Sequence, residues 1–269
     1  MRKSFAKCYA RHLGGCDGKS AEHYVSKTIL ESLEPFGIQG FPWLAPGESG
    51  SASANSLKAA ILCRRHNGEL SPYDSEAAKL FAHLKLVDSK QTPEELSTIP
   101  DLTINGHFVE KWLLKFLCGA QASGNFLIDG KSFGKVPPSD YQVNLLYDDA
   151  PWRPGIGMYF ETTDGIQINA HRGVGYDPLY VKTTPTNAQL VGIQVTLWGF
   201  PFRGIFAAYS DGSHIPGYRP AKLQIANGSV TRNIVFEWPA GTPVGISPVL
   251  RRNGTIPDKP LPTPLAKIP

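Results

Sequence analysis

The sequence predicts an α+β fold in which the two halves of the chain differ in kind. The first half carries Cys and His residues in short clusters, together with two stretches of helix-forming residues. The second half carries short apolar or alternating runs separated by turn residues, a pattern typical of antiparallel strands. We therefore predict an N-terminal module at 1–87, a linker and apolar helix at 88–135, and a C-terminal antiparallel β-sandwich or open barrel at 136–269.

The N-terminal module is predicted to consist of short elements joined by loops. Residues 21–26 are predicted to be extended, and 28–33 to form one or two helical turns. Residues 35–56 are rich in Pro, Gly and Ser and are predicted to be a long loop. A strand or extended segment is expected at 56–62, and good helix formers predict a helix at 75–86.

The connector is predicted to be a polar linker at 88–104 followed by one strong helix at 107–117. Gly119 is a natural residue to end that helix. Because apolar side chains cover most of the helix surface, we expect it to be buried between layers or between domains. Cys118 is most simply a core residue of this helix.

The C-terminal part contains seven runs that are predicted to be strands. They lie at 141–147, 157–162, 165–170, 190–197, 202–209, 223–226 and 233–238, and a Pro-rich tail follows from Pro239. Several aromatic residues stand here, some beside an Arg: Trp152, Tyr176, Tyr180, Trp198, Phe200, Phe202 and Tyr218. Such residues can stack bases of single-stranded nucleic acid, but we favour the interpretation that they form the core. His171 and His214 have no partner at metal-ligand spacing.

Composition limits the class of protein. The chain has 269 residues, 41% of them hydrophobic and 19% charged, which is a globular composition. It lacks an apolar run long enough to cross a membrane and an apolar signal-peptide core, so we expect a cytoplasmic protein without a membrane partner. In that compartment cysteines are metal ligands more often than disulfides. The net charge of +4 permits a polyanionic partner.

Two short segments offer soft metal ligands. Cys8 and Cys16 flank a Gly-Gly turn, and Cys63 stands three residues before His66. Three Cys and one His make a set that zinc prefers in structural sites. The alternatives are that His12 replaces Cys16 as a ligand, or that the thiols are simply buried.

Together these segments resemble the HNH endonucleases of the ββα-metal (His-Me finger) superfamily. The resemblance lies in the paired zinc ligands, in Glu22-His23 after the first pair, and in Cys63-Arg64-Arg65-His66-Asn67. It covers about the first 75 residues. It implies a ββα-metal module held together by zinc, and a metal-dependent endonuclease that hydrolyses phosphodiester bonds of DNA, with RNA as a further substrate class.

The resemblance also implies roles for individual residues. His23 is the expected general base, and Glu22 and Asn67 are the expected ligands of a catalytic Mg²⁺ or Mn²⁺. A histidine titrating near neutral pH and hard oxygen donors suit these roles. The residue that orients the base would be Asn55, although Lys58 lies nearer the usual spacing. Many members of the family have His at the position of Asn67.

The remaining expectations concern partners. Arg64 and Arg65 would contact backbone phosphates beside the zinc, and Arg11, Lys19 and Lys27 would extend that basic track. The β-rich part would recognise substrate, bind a regulatory partner or form a homo-oligomer contact. The alternative function is a non-catalytic zinc module that binds nucleic acid or protein.

Overall fold

The computed structural model describes residues 5–34, 36–45, 48–90, 92–148, 150–160, 173–184, 187–207 and 217–251. Helices are α1 (Lys27–Glu31), α2 (Arg64–Glu69), α3 (Ser71–Asp88), α4 (Pro93–Ser97), α5 (Gly106–Ser123) and α6 (Asp140–Leu146). Strands are β1 (Lys19–His23), β2 (Phe36–Gln39), β3 (Ser49–Ala52), β4 (Lys58–Cys63), β5 (Leu102–Asn105), β6 (Leu127–Ile128), β7 (Lys131–Ser132), β8 (Gly157–Phe160), β9 (Val174–Thr184), β10 (Asn187–Leu197), β11 (Phe200–Ile205), β12 (Lys222–Asn227), β13 (Val230–Glu237) and β14 (Val249–Arg251). The predicted α+β class is therefore confirmed.

The chain divides into two compact units. Unit 1 contains residues 1–78 and 111–152, and unit 2 contains residues 79–110 and 153–269. Whether 1–87, 88–135 and 136–269 behave as separate domains stays a prediction. In the part of the chain that the structure describes, no helix is both long and apolar enough to cross a membrane.

The centre of unit 1 is a pair of strands followed directly by a helix. Strands β1 and β4 are antiparallel, with Lys19 opposite Cys63 and His23 opposite Lys58. Helix α2 begins at the next residue, and Cys63 caps it because its sulfur accepts the backbone N–H of His66 at 3.5 Å. This order places β1, β4 and α2 side by side, although about 35 residues separate the two strands.

The segment between these strands differs from the predicted loop. Strands β2 and β3 pair as an antiparallel hairpin, with Phe36 opposite Ala52 and Gln39 opposite Ser49. The prediction of a loop throughout 35–56 was therefore wrong. Gly and Ser dominate β3, and these residues weaken the strand signal in the sequence.

Helix α5 is buried, as predicted, but it is longer than predicted. Trp112, Phe116 and Cys118 have no exposed surface. Gly119 lies inside the helix instead of ending it, since the helix continues to Ser123. A Cβ at Gly119 would lie 2.4 Å from the Cβ of Tyr24. Gly119 therefore permits a close approach of Tyr24 to α5, while Gly124, at φ 79°, follows the last turn.

Residues 141–147, which were predicted to be a strand, lie mostly in helix α6 of unit 1. Ser139 and Gln142 form a reciprocal capping box at its start. Val143, Leu145 and Leu146 are fully buried. The apolar residues of this run fit one face of a helix as well as the alternating pattern of a strand. The capping signal identifies the helix, and the apolar pattern alone misled the prediction.

Unit 2 contains two four-stranded sheets. One has the order β8-β11-β10-β9 and is antiparallel throughout. The other has the order β14-β12-β13-β5 and is mixed, because β12 pairs parallel with β14 and β13 pairs parallel with β5. The described residues form no barrel, and packing of the sheets as a sandwich stays a prediction. Helix α4 and most of strand β5 lie in the predicted linker at 88–104, which corrects that assignment.

The core of unit 2 contains several of the aromatic residues noted in the sequence. Phe200 and Phe202 are 1% exposed, Tyr218 is 2% exposed and Trp198 is 9% exposed, so the core interpretation is confirmed for these four. Trp152 belongs to unit 1, and it is partly exposed, as are Tyr176 and Tyr180 in unit 2. The run at 165–170, His171, His214 and the tail beyond Arg251 lie outside the described residues.

Candidate metal centre and adjoining cavity

Cys8, Cys16, Cys63 and His66 come together in unit 1. The Nδ1 atom of His66 lies 3.4 Å from the sulfur of Cys8, 3.6 Å from that of Cys16 and 3.2 Å from that of Cys63. All four ligand atoms lie within 4.8 Å of one another. In a tetrahedral zinc site the sulfur and nitrogen ligands stand about 3.6 Å apart. The cluster could therefore hold zinc.

The burial of this group suits a closed structural site. Cys8 is 4% exposed, Cys63 0% and His66 1%. Burial raises the pKa of Cys8 to about 12 and also raises that of Cys16. Burial lowers the pKa of His66, which keeps its imidazole neutral and able to bind a metal. A zinc ion would supply the positive charge that thiolates need in this position.

The surrounding backbone holds the ligands at these distances. The N–H of Arg64 donates to the carbonyl of Gly18 at 2.8 Å, and the N–H of Arg65 donates to Asp17 Oδ1 at 3.0 Å. These bonds attach the start of α2 to the turn after Cys16. Tyr147 donates its hydroxyl proton to the carbonyl of His66 at 3.0 Å and meets the imidazole edge-on.

His12 takes no part in the cluster. Its Nε2 lies 2.7 Å from Asn144 Oδ1, and its Nδ1 lies 3.4 Å from Asp140 Oδ1. The ring thus attaches the turn at Arg11–Leu13 to helix α6. Cys16 therefore fills the ligand position for which His12 was the competitor.

A cavity of about 320 Å³ opens beside β1 and α2. Its lining is polar, and it includes His23, Glu22 and Asn67, the three residues to which the resemblance assigned chemistry. The full lining is Ser20, Glu22, His23, Lys27, Arg64, Asn67, Gly68, Ser71 and Asp74. Helix α2 carries the metal ligand His66 as well as cavity residues. Strand β1 follows the turn after Cys16 and carries further cavity residues, so the same two elements position the metal cluster and the cavity.

His23 stands at the end of β1 with its ring half-buried. Burial lowers its pKa, and the nearby cations Lys115, Lys58 and Lys27 lower it further. The imidazole is therefore neutral at pH 7. Its Nε2 is buried and has no hydrogen-bond partner among the described residues. A neutral ring with an unpaired nitrogen beside a polar cavity can accept a proton.

Glu22 lies deeper than the resemblance suggests. It is 2% exposed, and Lys115 of α5 lies 2.6 Å from its Oε1. Burial raises the pKa of Glu22, and the charge of Lys115 opposes that change. Asp74 is the second carboxylate on the cavity, and Lys115 lies 2.8 Å from its Oδ1.

The two asparagines have different surroundings. The side-chain amide of Asn67 donates to Ser20 Oγ at 2.9 Å, which leaves its carbonyl oxygen for a ligand in the cavity. Asn55 is exposed in a 3₁₀ turn, and its carbonyl accepts a bond from Lys58 at 2.9 Å. Lys58 is the strand partner of His23, so the hydrogen bond of Asn55 goes to the residue opposite the expected base.

The predicted basic track is mostly engaged in ion pairs. Arg64 lies 3.6 Å from Asp17, Arg65 lies 2.9 Å from Glu69, and Lys27 lies 3.1 Å from Glu31. Arg64 and Lys27 also line the cavity, with side chains 64% and 59% exposed. Arg11 and Lys19 are exposed outside the cavity lining.

Sequence reasoning missed Lys115, Asp74, Ser20 and Ser71. Lys115 stands in an otherwise apolar helix and is 1% exposed, and a charged residue in such a position is rarely buried without a partner. That contrast was the available signal. Its partners could not be named from the sequence, because Asp74 and His23 are 41 and 92 residues away.

Comparisons with known proteins yield no match to this chain, whether with family models, curated proteins or solved structures.

Proposed function

We propose that this chain is a metal-dependent endonuclease that hydrolyses phosphodiester bonds of DNA. The observation that carries the proposal is that His23, Glu22 and Asn67 line one cavity beside a Cys–His cluster suited to zinc. The order β1, β4, α2 is also the strand–strand–helix order that the HNH resemblance implies. RNA is a further substrate class. A Cys–His cluster suits a cytoplasmic location, where cysteines are metal ligands more often than disulfides.

The chemistry requires a base, a charge stabiliser and a holder for the phosphate. His23 would accept a proton from water, and the resulting hydroxide would attack phosphorus while the bond to the leaving oxygen breaks. A divalent Mg²⁺ or Mn²⁺ ion, when bound, would stabilise charge on the phosphate and on the leaving oxygen. Arg64 and Lys27 stand at the cavity and would bind phosphate oxygens.

The donor set fits a hard cation. Glu22 and Asp74 offer carboxylate oxygens, and Asn67 offers an amide carbonyl, all on the cavity lining. Oxygen donors of these kinds are the ones Mg²⁺ and Mn²⁺ prefer. The structural role belongs to zinc at Cys8, Cys16, Cys63 and His66, where the donors are soft.

A cleavage assay with matched histidine variants tests the proposal. Purified protein is incubated with supercoiled plasmid and Mg²⁺ or Mn²⁺, and nicked and linear products are quantified. We expect His23→Ala to lower the rate by about 10²–10⁴-fold. The control is His12→Ala, because His12 is another histidine of unit 1 but lies outside the cavity lining. If the wild-type protein shows no metal-stimulated cleavage of either DNA or RNA, the proposal is refuted.

A non-catalytic zinc module is the second candidate, and the burial of Glu22 against Lys115 favours it. In that case the protein binds nucleic acid or protein without cutting, and His23→Ala changes nothing. Salt-dependent DNA binding without cleavage would support this candidate. The β-rich unit would then select the substrate, bind a regulatory partner or form a homo-oligomer contact.

A further inference from the structure

Two buried lysines stand one turn apart on helix α5. Lys111 and Lys115 are each 1% exposed. Lys111 donates to the hydroxyl of Tyr73 at 3.1 Å and forms an ion pair with Asp148, away from the cavity lining. Lys115 instead contacts residues that line the cavity. A comparison of the two lysines therefore distinguishes the contribution of a buried lysine to stability from its contribution to the candidate site.

The ammonium group of Lys115 has three oxygen partners. They are Glu22 Oε1 at 2.6 Å, Asp74 Oδ1 at 2.8 Å and the main-chain carbonyl of His23 at 2.8 Å. The contacts with Asp74 and with the carbonyl of His23 are hydrogen bonds, and the contact with Glu22 is an ion pair. Burial lowers the pKa of Lys115, but the two carboxylates outweigh burial and the net change is upward. Lys115 is therefore charged.

A second series of hydrogen bonds fixes the same carboxylate. Asp74 Oδ1 accepts the hydroxyl proton of Ser26 at 2.5 Å, and Ser26 Oγ accepts the indole N–H of Trp112 at 2.8 Å. Trp112 and Lys115 both lie on α5. The helix thus holds Asp74 through two different side chains, and it holds the Glu22-His23 segment through one.

We propose that Lys115 is a positioning residue of the candidate site, which fixes the main chain at His23 and the carboxylates of Glu22 and Asp74. This inference rests on the proposed function for its catalytic consequence. The side chain of His23 extends from the same residue whose carbonyl Lys115 binds, so movement there displaces the imidazole. A displacement of about 1 Å in a reacting group costs on the order of 100-fold in rate.

The first test compares Lys115→Met with Lys111→Met. We expect Lys115→Met to lower kcat for plasmid or oligonucleotide cleavage by about 30–100-fold, while KM stays within about threefold. Zinc content is expected to be unchanged. Lys111→Met removes an equally buried charge from the same helix, and we expect kcat within about threefold of wild type. Equal kcat losses in both variants would assign Lys115 a purely structural role and overturn the inference.

The second test does not depend on activity. The imidazole ¹H–¹⁵N signals of His23 are recorded in the protein without DNA or added divalent cation. We expect Lys115→Met to shift or broaden the His23 signals, and Lys111→Met to leave them unchanged. Unchanged His23 signals in a folded Lys115→Met protein would contradict the inference. If wild-type protein fails to cleave, the proposed function fails, and these spectra still decide whether Lys115 positions His23.

A further pair of variants covers the case in which Lys115→Met does not fold. Removing the lysine alone leaves a buried carboxylate unpaired, and Glu22→Gln removes that charge. His23 signals are then compared between Lys115→Met/Glu22→Gln and Glu22→Gln alone. Altered signals only in the double variant would support the inference. The same spectrum in both would refute it.

Discussion

Two buried polar clusters of unit 1, the Cys–His cluster and the one around Lys115, differ in how far the sequence reveals them. In the Cys–His cluster, Cys63 and His66 are three residues apart, and Cys8 and Cys16 flank one turn. The Lys115 cluster consists of Lys115, Glu22, Asp74 and the carbonyl of His23, and its members come from three separate elements, β1, the start of α3 and α5. Closely spaced metal ligands can thus be recognised in a sequence, whereas a buried ion pair between distant residues becomes visible only in the fold.

The clusters also differ in what completes them. The Lys115 cluster balances one cation against two carboxylates within the chain. The Cys–His cluster contains no cation of its own, and burial raises the pKa of Cys8 to about 12. We therefore expect the first cluster to be self-sufficient and the second to depend on an ion from solution.

The largest effect is expected from loss of zinc. Cys63→Ser removes a ligand that is 0% exposed and also weakens the cap of helix α2. Zinc-finger sites bind their metal with about 10–16 kcal/mol, and a module of this kind depends on that free energy to fold. We expect zinc content to fall well below one per chain and thermal unfolding of unit 1 to begin at a much lower temperature. Metal analysis measures the zinc content, and circular dichroism measures the unfolding temperature. A variant that retains wild-type stability would contradict the expected dependence of the Cys–His cluster on zinc.

The next effect concerns the Lys115 cluster. Lys115→Met should lower the free energy of unfolding by about 3–5 kcal/mol, because it leaves Glu22 buried without its counter-charge. Lys115→Met/Glu22→Gln should recover a large part of that loss. Urea denaturation of both variants measures the difference. Recovery would show that the lysine cluster, unlike the zinc cluster, can be replaced by uncharged groups.

A smaller effect on stability is expected from the contact between helix α5 and Tyr24. Gly119→Ala would place a Cβ 2.4 Å from the Cβ of Tyr24, so we expect a loss of about 1–3 kcal/mol with zinc content unchanged. Gly68→Ala on helix α2 is the matched control, because nothing lies within 4 Å of a Cβ there. It should raise the free energy of unfolding by up to about 1 kcal/mol. If urea denaturation shows that Gly119→Ala has a higher free energy of unfolding than Gly68→Ala, the packing of α5 against Tyr24 is contradicted.

The smallest effect is a change in the pKa of His23. Burial lowers that pKa below the ordinary 6.5, and Lys115 is the strongest of the nearby cations that add to this. Because the folded state disfavours the charged ring, stability should fall as pH drops through 6.5 toward the lower folded pKa. An NMR titration should place the midpoint below 6.5, and Lys115→Met should raise it. A midpoint above the ordinary value would contradict the described environment.

The Cys–His set could be predicted because its chemistry limits the choice of residues. Cys8, Cys16, Cys63 and His66 were identified by residue type and spacing, and the structure brings them together. His23, Glu22 and Asn67 line one cavity, and the catalytic roles that the HNH resemblance assigns to them stay a prediction. The burial of Glu22 could not be predicted, because it depends on a helix about 90 residues further along the chain.

The errors in the fold have a common physical origin. The hairpin at Phe36–Gln39 and Ser49–Ala52 is made of Gly and Ser as much as of apolar residues, so its strand signal is weak. Helix α6 has an apolar pattern that also fits a strand. Strand β5 is four residues long and pairs with β13, more than 120 residues away, so tertiary contacts decide its conformation.

Both the fold of unit 1 and the candidate site beside it require one ion to join Cys8, Cys16, Cys63 and His66. Zinc K-edge X-ray absorption of the purified protein measures this directly. We predict one zinc per chain, with three sulfur ligands at about 2.3 Å and one nitrogen ligand at about 2.0 Å. Protein that folds without zinc, or zinc bound mainly by oxygen and nitrogen, would contradict the account.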